Sequence, residues 1–347
     1  MLVGKRAGDA VAMVPKLFSI CGRSQAVAAA LACERAAGIE SDAAVQRARM
    51  ELVDAEIVHE YLWRILLDWP RAIGAAGNAP MLASVRALIG EALKASEWAM
   101  RYAPERPRSG GSRWDAVRVE LGRLLTRDLM DAPPATLDDP SRFDTWLEAG
   151  TSPVANVMAR LRVESANSTG PGVTLLPIMT SDLAAGELVR RLDSDEGFSS
   201  APDWEGSPRE TGPRARQHSH PLIAELTRCA PSPVLPRLAA RLVELTELLE
   251  RKAGERMASA AIRDGDAIAW VETARGMLVH RVALDEESVV RYQIVAPTEW
   301  NFHPRGALVV ELETLCVGDR TALERRVELL VQSLDPCVAY GIEIGHA

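Results

Sequence analysis

Through the first half of the chain, apolar residues recur every three or four positions, as packed helices require. Leu52, Ile57, Val58, Leu62, Ile65 and Leu66 mark the clearest such stripe, in a helix that Ser41 is placed to open and Pro70 to stop at about Trp69. The Ala-rich run from Ser24 to Ala37 predicts an earlier helix, with Ser24 as its cap and Gly38 as its end. Similar spacing predicts helices over about 79–101, 113–130, 140–149 and 153–164. The stretch 194–217, rich in Ser, Pro, Gly and Asp, reads as an irregular surface loop. A long helix follows from about 236 to 262. From Ala267 the period shortens, and AIAWVET, MLVHRVAL and SVVRYQIVA are β-branched runs that suit a small antiparallel sheet. A last helix, from about Arg320 to Leu334, delivers Cys337 just past its end. The fold class expected is mainly α with a small antiparallel β element (α+β), as a single domain over 1–347.

Composition narrows the classes. The 347 residues suffice for a substantial core, and no apolar run is long enough to span a bilayer. The start, MLVGKRAGDAVAM, lacks the apolar core of a secretory signal. A net charge of −8 argues against a nucleic-acid binder, and the basic cluster Arg209 to Arg216 reads as a solvated loop. The five cysteines are odd in number, scattered and without an intact Cys-x-x-Cys, which points to free thiols in a reducing compartment, the cytoplasm. A cluster bound by a local cysteine run is therefore excluded.

Two short segments at opposite ends carry the chemistry. Ile20-Cys21-Gly22-Arg23-Ser24 and Asp335-Pro336-Cys337-Val338-Ala339-Tyr340 each look like a Cys-x-x-Cys unit whose second cysteine is gone. Cys21 precedes a helix start, where free N–H groups and the dipole favour a thiolate. Between them lie further marked stretches: His59 and Leu67-Asp68-Trp69, Glu210-Thr211-Gly212-Pro213, Val271-Glu272-Thr273-Ala274-Arg275-Gly276 with His280, and Pro297-Thr298-Glu299-Trp300-Asn301-Phe302-His303-Pro304-Arg305. In this combination the chain resembles the large subunit of nickel–iron hydrogenases. With half the thiolates missing, it is more similar still to the expression/formation (maturation) proteins of the HupK/HoxV type.

That resemblance implies that four cysteines of two Cys-x-x-Cys pairs surround nickel and iron in the enzymes. Here Ser24 and Tyr340 stand in place of the two bridging cysteines, and Ala28 and Glu343 in place of the histidines that follow each pair. Cys21 and Cys337 remain as candidate metal ligands, at positions that in the enzymes end on nickel. The family's charged lid over the cyanide and carbonyl ligands corresponds to Asp68, Arg275 and Asp335. The expected function is a non-enzymatic scaffold that transiently holds an Fe(CN)2CO unit, without nickel, for a hydrogenase large-subunit precursor. Its partners would be that precursor and the maturation factors. A metal-free module that mimics the large subunit, or a divergent redox enzyme, are the other readings. The chain ends ten residues beyond Cys337, so tail removal by a maturation protease is not expected.

Plainer roles fit the other candidates. Asp68 and Arg275 can form a structural salt bridge. His218 and His220 suit an exposed loop, and His59, His303 and His346 a structural role. Cys33, Cys229 and Cys316 read as buried thiols, and Glu34 and Arg35 as solvated helix charges.

Overall fold

The computed structural model describes all residues except 19, 106–111, 166–171, 231, 316–318 and 346–347. Cys316 and His346 lie outside the described residues. The first long elements are α1 (Ala7–Leu17), α2 (Gly22–Ala36) and α3 (Ala43–Trp63). Helix α1 has no counterpart in the expectations above. Helix α3 is capped by Asp42, not Ser41, whose carboxylate accepts the N–H groups of Ala44 and Val45. It does not stop at Pro70. A π-turn over Arg64–Asp68 leads into a short helix, Trp69–Ala72, with Pro70 in its first turn, where a missing N–H costs nothing.

Helices α4 (Ala79–Leu93), α5 (Trp114–Arg123), α6 (Pro140–Ala149) and α7 (Pro153–Ser165) follow; α6 and α7 match the predicted spans, whereas α4 and α5 stop short of 101 and 130, giving way to a 3-10 turn over Glu97–Met100 and a π-turn over Leu124–Leu129. After α8 (Pro221–Cys229), helix α9 covers Val234–Glu250. The predicted helix to residue 262 is too long, because Met257–Arg263 is strand β1. With β2 (Asp266–Thr273), β3 (Gly276–Asp285) and β4 (Ser288–Val295) it makes an antiparallel meander in the order β1-β2-β3-β4. The last long helix, α10, spans Arg320–Leu334 as expected.

Both faces of the sheet are covered, so its strands are apolar on both sides. Ala267, Ala269 and Val271 of β2 and Leu278 and Val282 of β3 join the main helical core. Ile268, Trp270, Met277 and Val279 point the other way, into a second cluster with Leu188, Phe198, Trp204 and Trp300. Helix α2 lies against β2 and β3. Its run Ala28-Ala29-Ala30-Leu31-Ala32-Cys33 is buried throughout, the small side chains allowing close approach to the sheet.

Ion pairs, not only apolar contacts, join these layers. Arg237 of α9 holds two carboxylates, Glu210 at 2.7 Å and Glu311 at 2.5 Å, with all three side chains almost fully buried. Arg216 binds Glu244 and Glu272, and Tyr61 donates to Glu244 at 2.5 Å. The segment 194–217 is therefore not a surface loop along its whole length: residues 210–215 are buried, and Arg214 and Arg216 are paired, not solvated. Glu34 is likewise no solvated charge, since its carboxylate takes Arg49 at 2.6 and 2.7 Å inside the core. Cys229, expected to be buried, is exposed and donates to Glu225.

Breaking such a hub leaves charge stranded in a dry interior. Arg237→Met should lower stability by about 3–5 kcal/mol in urea unfolding. A buried neutral histidine adds a pH signature. His280 sits between the Gln25 side chain and the Tyr292 hydroxyl, each at 2.9 Å, and burial pushes it down to about 3. The unfolded chain takes up a proton below the ordinary histidine value that the folded chain refuses. The stability from His280 is thus complete above pH 6.5 and lost as pH falls toward 3. His280→Gln should flatten the acid branch of a stability–pH curve by up to about 1.4 kcal/mol per pH unit in that window.

Candidate functional site

Arg275 is placed by a hairpin that three separate segments clamp. Thr273 and Gly276 pair across the β2–β3 turn, leaving Ala274 and Arg275 at its tip. The Asn301 side chain donates to Arg275 O at 3.0 Å and accepts Thr211 N–H at 3.0 Å. The Tyr61 hydroxyl, whose proton goes to Glu244, lies 3.2 Å from Ala274 O. Gly276 has φ +130°, and a Cβ there would fall 2.4 Å from Thr211 Cγ2, so only glycine fits. The marked stretches around Glu210 and Trp300 thus serve one purpose, fixing this turn.

The Arg275 guanidinium is buried between two carboxylates, Glu60 of α3 and Asp335 at 3.4 Å. Asp335 ends helix α10 in a left-handed conformation, φ 61° and ψ 70°, and Pro336 follows. Arg64 binds Asp335 at 2.6 Å and Asp68 at 2.5 Å. Burial opposes ionisation of Asp335, but Arg275, Arg64 and Arg241 together hold its carboxyl below the usual range. Burial pushes Glu60 up to about 8, with Arg275 resisting. The expected direct pairing of Asp68 with Arg275 is absent among the described residues. The two are joined through Arg64 and Asp335.

Cys21 and Cys337 meet beneath this network. Each thiol is the strongest influence on the other's titration, so the two are near neighbours, and both are free and half-buried. The hydrogen bond from Cys21 and the charges of Arg275 and Arg64 lower Cys337 to about 6, against burial and Asp335. Cys21 moves the other way, raised by its bond to Cys337, by burial and by Glu56 and Glu60. The expectation of a thiolate at Cys21 fails for a local reason: a carboxylate already occupies the helix terminus. Glu56 accepts Arg23 N–H at 2.9 Å and Ser24 N–H at 3.0 Å, and Ser24 Oγ at 2.5 Å. Ser24 is therefore bound to Glu56 and does not cap its own helix.

Tyr340 turns outward and donates to Glu328 at 2.8 Å. Ala28 is fully buried and Glu343 exposed. No group of three or more metal-ligating side chains occurs among the described residues. Cys337 opens onto a groove of about 590 Å³, bordered by Arg64, Asp68, Trp69 and Tyr340. His59 lies on α3 edge-on to Trp63, lowered to about 4 by burial and by Arg86 and Arg23. Neither His218 nor His220 lines this groove.

Glu56, Glu60 and Arg64 are the site residues that sequence reasoning missed. With Asp68 they form a charged row at four-residue spacing along one face of the helix and its continuation. That row was the available signal, because four charges on one face of a core helix must be paired or at a site.

The nickel-dependent hydrogenase family model matches residues 235–343. Over the whole chain, the hydrogenase expression/formation protein HoxV of Cupriavidus necator is 32% identical, with 90% of its length covered. HupK of Rhizobium leguminosarum bv. viciae, with the same description, is 31% identical, again with all of this chain and 90% of the relative covered. Among solved structures, the Ni-Fe-Se hydrogenase of D. vulgaris Hildenborough superposes with a TM-score of 0.58 at 16% identity, covering 97% of this chain and 90% of the other. That likeness establishes the fold.

The unequal thiols are directly measurable. Iodoacetamide should alkylate Cys337 well before Cys21, with a rate that rises through about pH 6 and then levels. In Cys21→Ala the midpoint should move up toward the ordinary thiol value, as read by peptide mass spectrometry across a pH series.

Proposed function

Because this chain belongs to the hydrogenase expression/formation proteins, we propose that it is a non-enzymatic scaffold for hydrogenase assembly, holding an Fe(CN)2CO unit between the sulfurs of Cys21 and Cys337, the iron displacing the Cys21 proton on binding. The observation that carries this reading is the meeting of two sulfurs from opposite ends of the chain beneath a buried guanidinium. Two soft thiolates suit low-spin iron. Arg275 Nη1 and Nη2 are taken by Glu60 and Asp335, while its Nε is buried without a partner, as is that of Arg64. A buried donor left unpaired is costly unless a ligand completes it. A cyanide nitrogen is an acceptor of the right kind for such a donor.

The substituted positions support holding over catalysis. The side chains of Ser24 and Tyr340 are committed to Glu56 and Glu328, so neither replaces a bridging thiolate. With two protein ligands in place of four, nickel has nothing to hold it beside iron, and the cargo can leave. Asp68 and Asp335 fix Arg64 and Arg275, and the groove beside Cys337 gives a route for exchange with maturation factors and the large-subunit precursor.

Infrared spectroscopy on protein co-expressed with the maturation machinery and purified without oxygen tests the reading. Cyanide and carbonyl bands are expected in the wild type and should vanish in Cys21→Ala and Cys337→Ala, together with loss of hydrogenase maturation. Absent bands, with full maturation in both variants, would overturn it in favour of a metal-free mimic of the large subunit.

A further inference from the structure

We infer that Cys21 and Cys337 form a reversible dithiol–disulfide pair, closed by oxidation to a cross-link between the two ends of the chain. Several observations on the geometry converge on this. The two thiols are near neighbours, with Ile20 and Cys337 bordering one groove, and both are free. Their outlets differ: Cys337 borders the groove of about 590 Å³, whereas Cys21 is not among the residues that line it. The backbone around them is held from outside the pair. Cys21 is fixed by helix α2 and its Glu56 carboxylate, and Cys337 follows the Arg64–Asp335–Arg275 network by two residues. Each cysteine is thus held in place by its own surroundings, independently of the other.

Accessibility sets the order of events. A low-molecular-weight disulfide such as oxidised glutathione enters by the groove and is attacked by the Cys337 sulfur. Its S–S bond breaks, one glutathione thiol leaves, and a mixed disulfide remains on Cys337. Cys21 then displaces the second glutathione thiol, so the S–S bond between the two cysteines forms as the mixed one breaks. Two protein thiols lose two electrons and two protons, and one oxidised glutathione gains both to become two thiols. Cys33 is fully buried in the core, and exposed Cys229 is bonded to Glu225, so neither is placed to resolve the mixed disulfide.

A cross-linked pair offers no thiolate to a metal, so oxidation closes the site and reduction reopens it. This consequence rests on the holding role proposed above; the cross-link itself does not. Because the bridge closes a loop of most of the chain, it also restrains the unfolded state.

The test uses purified, metal-free, full-length protein carrying Cys229→Ser, incubated with oxidised glutathione and mapped by non-reducing peptide mass spectrometry. Expected are loss of two titratable thiols, a peptide joining Cys21 to Cys337, and a raised melting temperature, all reversed by dithiothreitol. Adding Cys21→Ser should leave one glutathione on Cys337 and no cross-link. A stable glutathione adduct on Cys337 with Cys21 still free, or no reaction at either thiol, would overturn the inference. Either outcome is read without iron, so it is separate from the infrared result.

Discussion

The contact between Arg275 and Asp335 is the constraint on which the rest of the structure depends. One partner sits at the tip of a hairpin, the other at the end of the last long helix, and both are almost wholly buried. Neither charge is tolerable there alone, because an isolated ion in a dry interior costs several kcal/mol. Glu60 and Arg64, both from the helix α3 region, complete the balance. Three distant parts of the chain are thereby drawn to one point, and the thiols lie where they meet. The pairing therefore acts as a locator more than as a source of net stability.

Much of the fold could be read from periodicity. Helices α6, α7 and α10 lie within a residue or two of their predicted spans because clear signals bound them: Asp139 and Gly150 at the ends of α6, Asp319 before α10. Strand β1 was missed for a physical reason. Its sequence, MASAAIR, is rich in alanine, carries little β preference of its own, and is held in the sheet by pairing with β2. The burial of residues 210–215 was equally hidden. Pro, Gly and Arg look like a surface turn until partners such as Arg237 for Glu210 and Glu244 for Arg216 arrive from elsewhere in the chain.

At the site, the resemblance pointed to Cys21, Cys337, Asp68, Arg275 and Asp335, and the structure gathers them into one neighbourhood. What it could not give was the wiring. Asp68 reaches Arg275 only through Arg64 and Asp335, and the start of α2 is closed by Glu56. Arg64 and Glu56 stand on the same face of one helix, four-residue steps apart, in a region where the apolar stripe drew attention to the opposite face. After their influence on each other, the two thiols are set apart by an arginine pair, Arg275 and the overlooked Arg64, beside one sulfur and two overlooked carboxylates beside the other.

The separation of the two sulfurs along the chain has a consequence for biosynthesis. Cys337 is made 316 positions after Cys21. Helix α2 and its carboxylate partner can be in place while translation continues, but the second sulfur cannot. A nascent polypeptide short of residue 337 has no two-sulfur site at all.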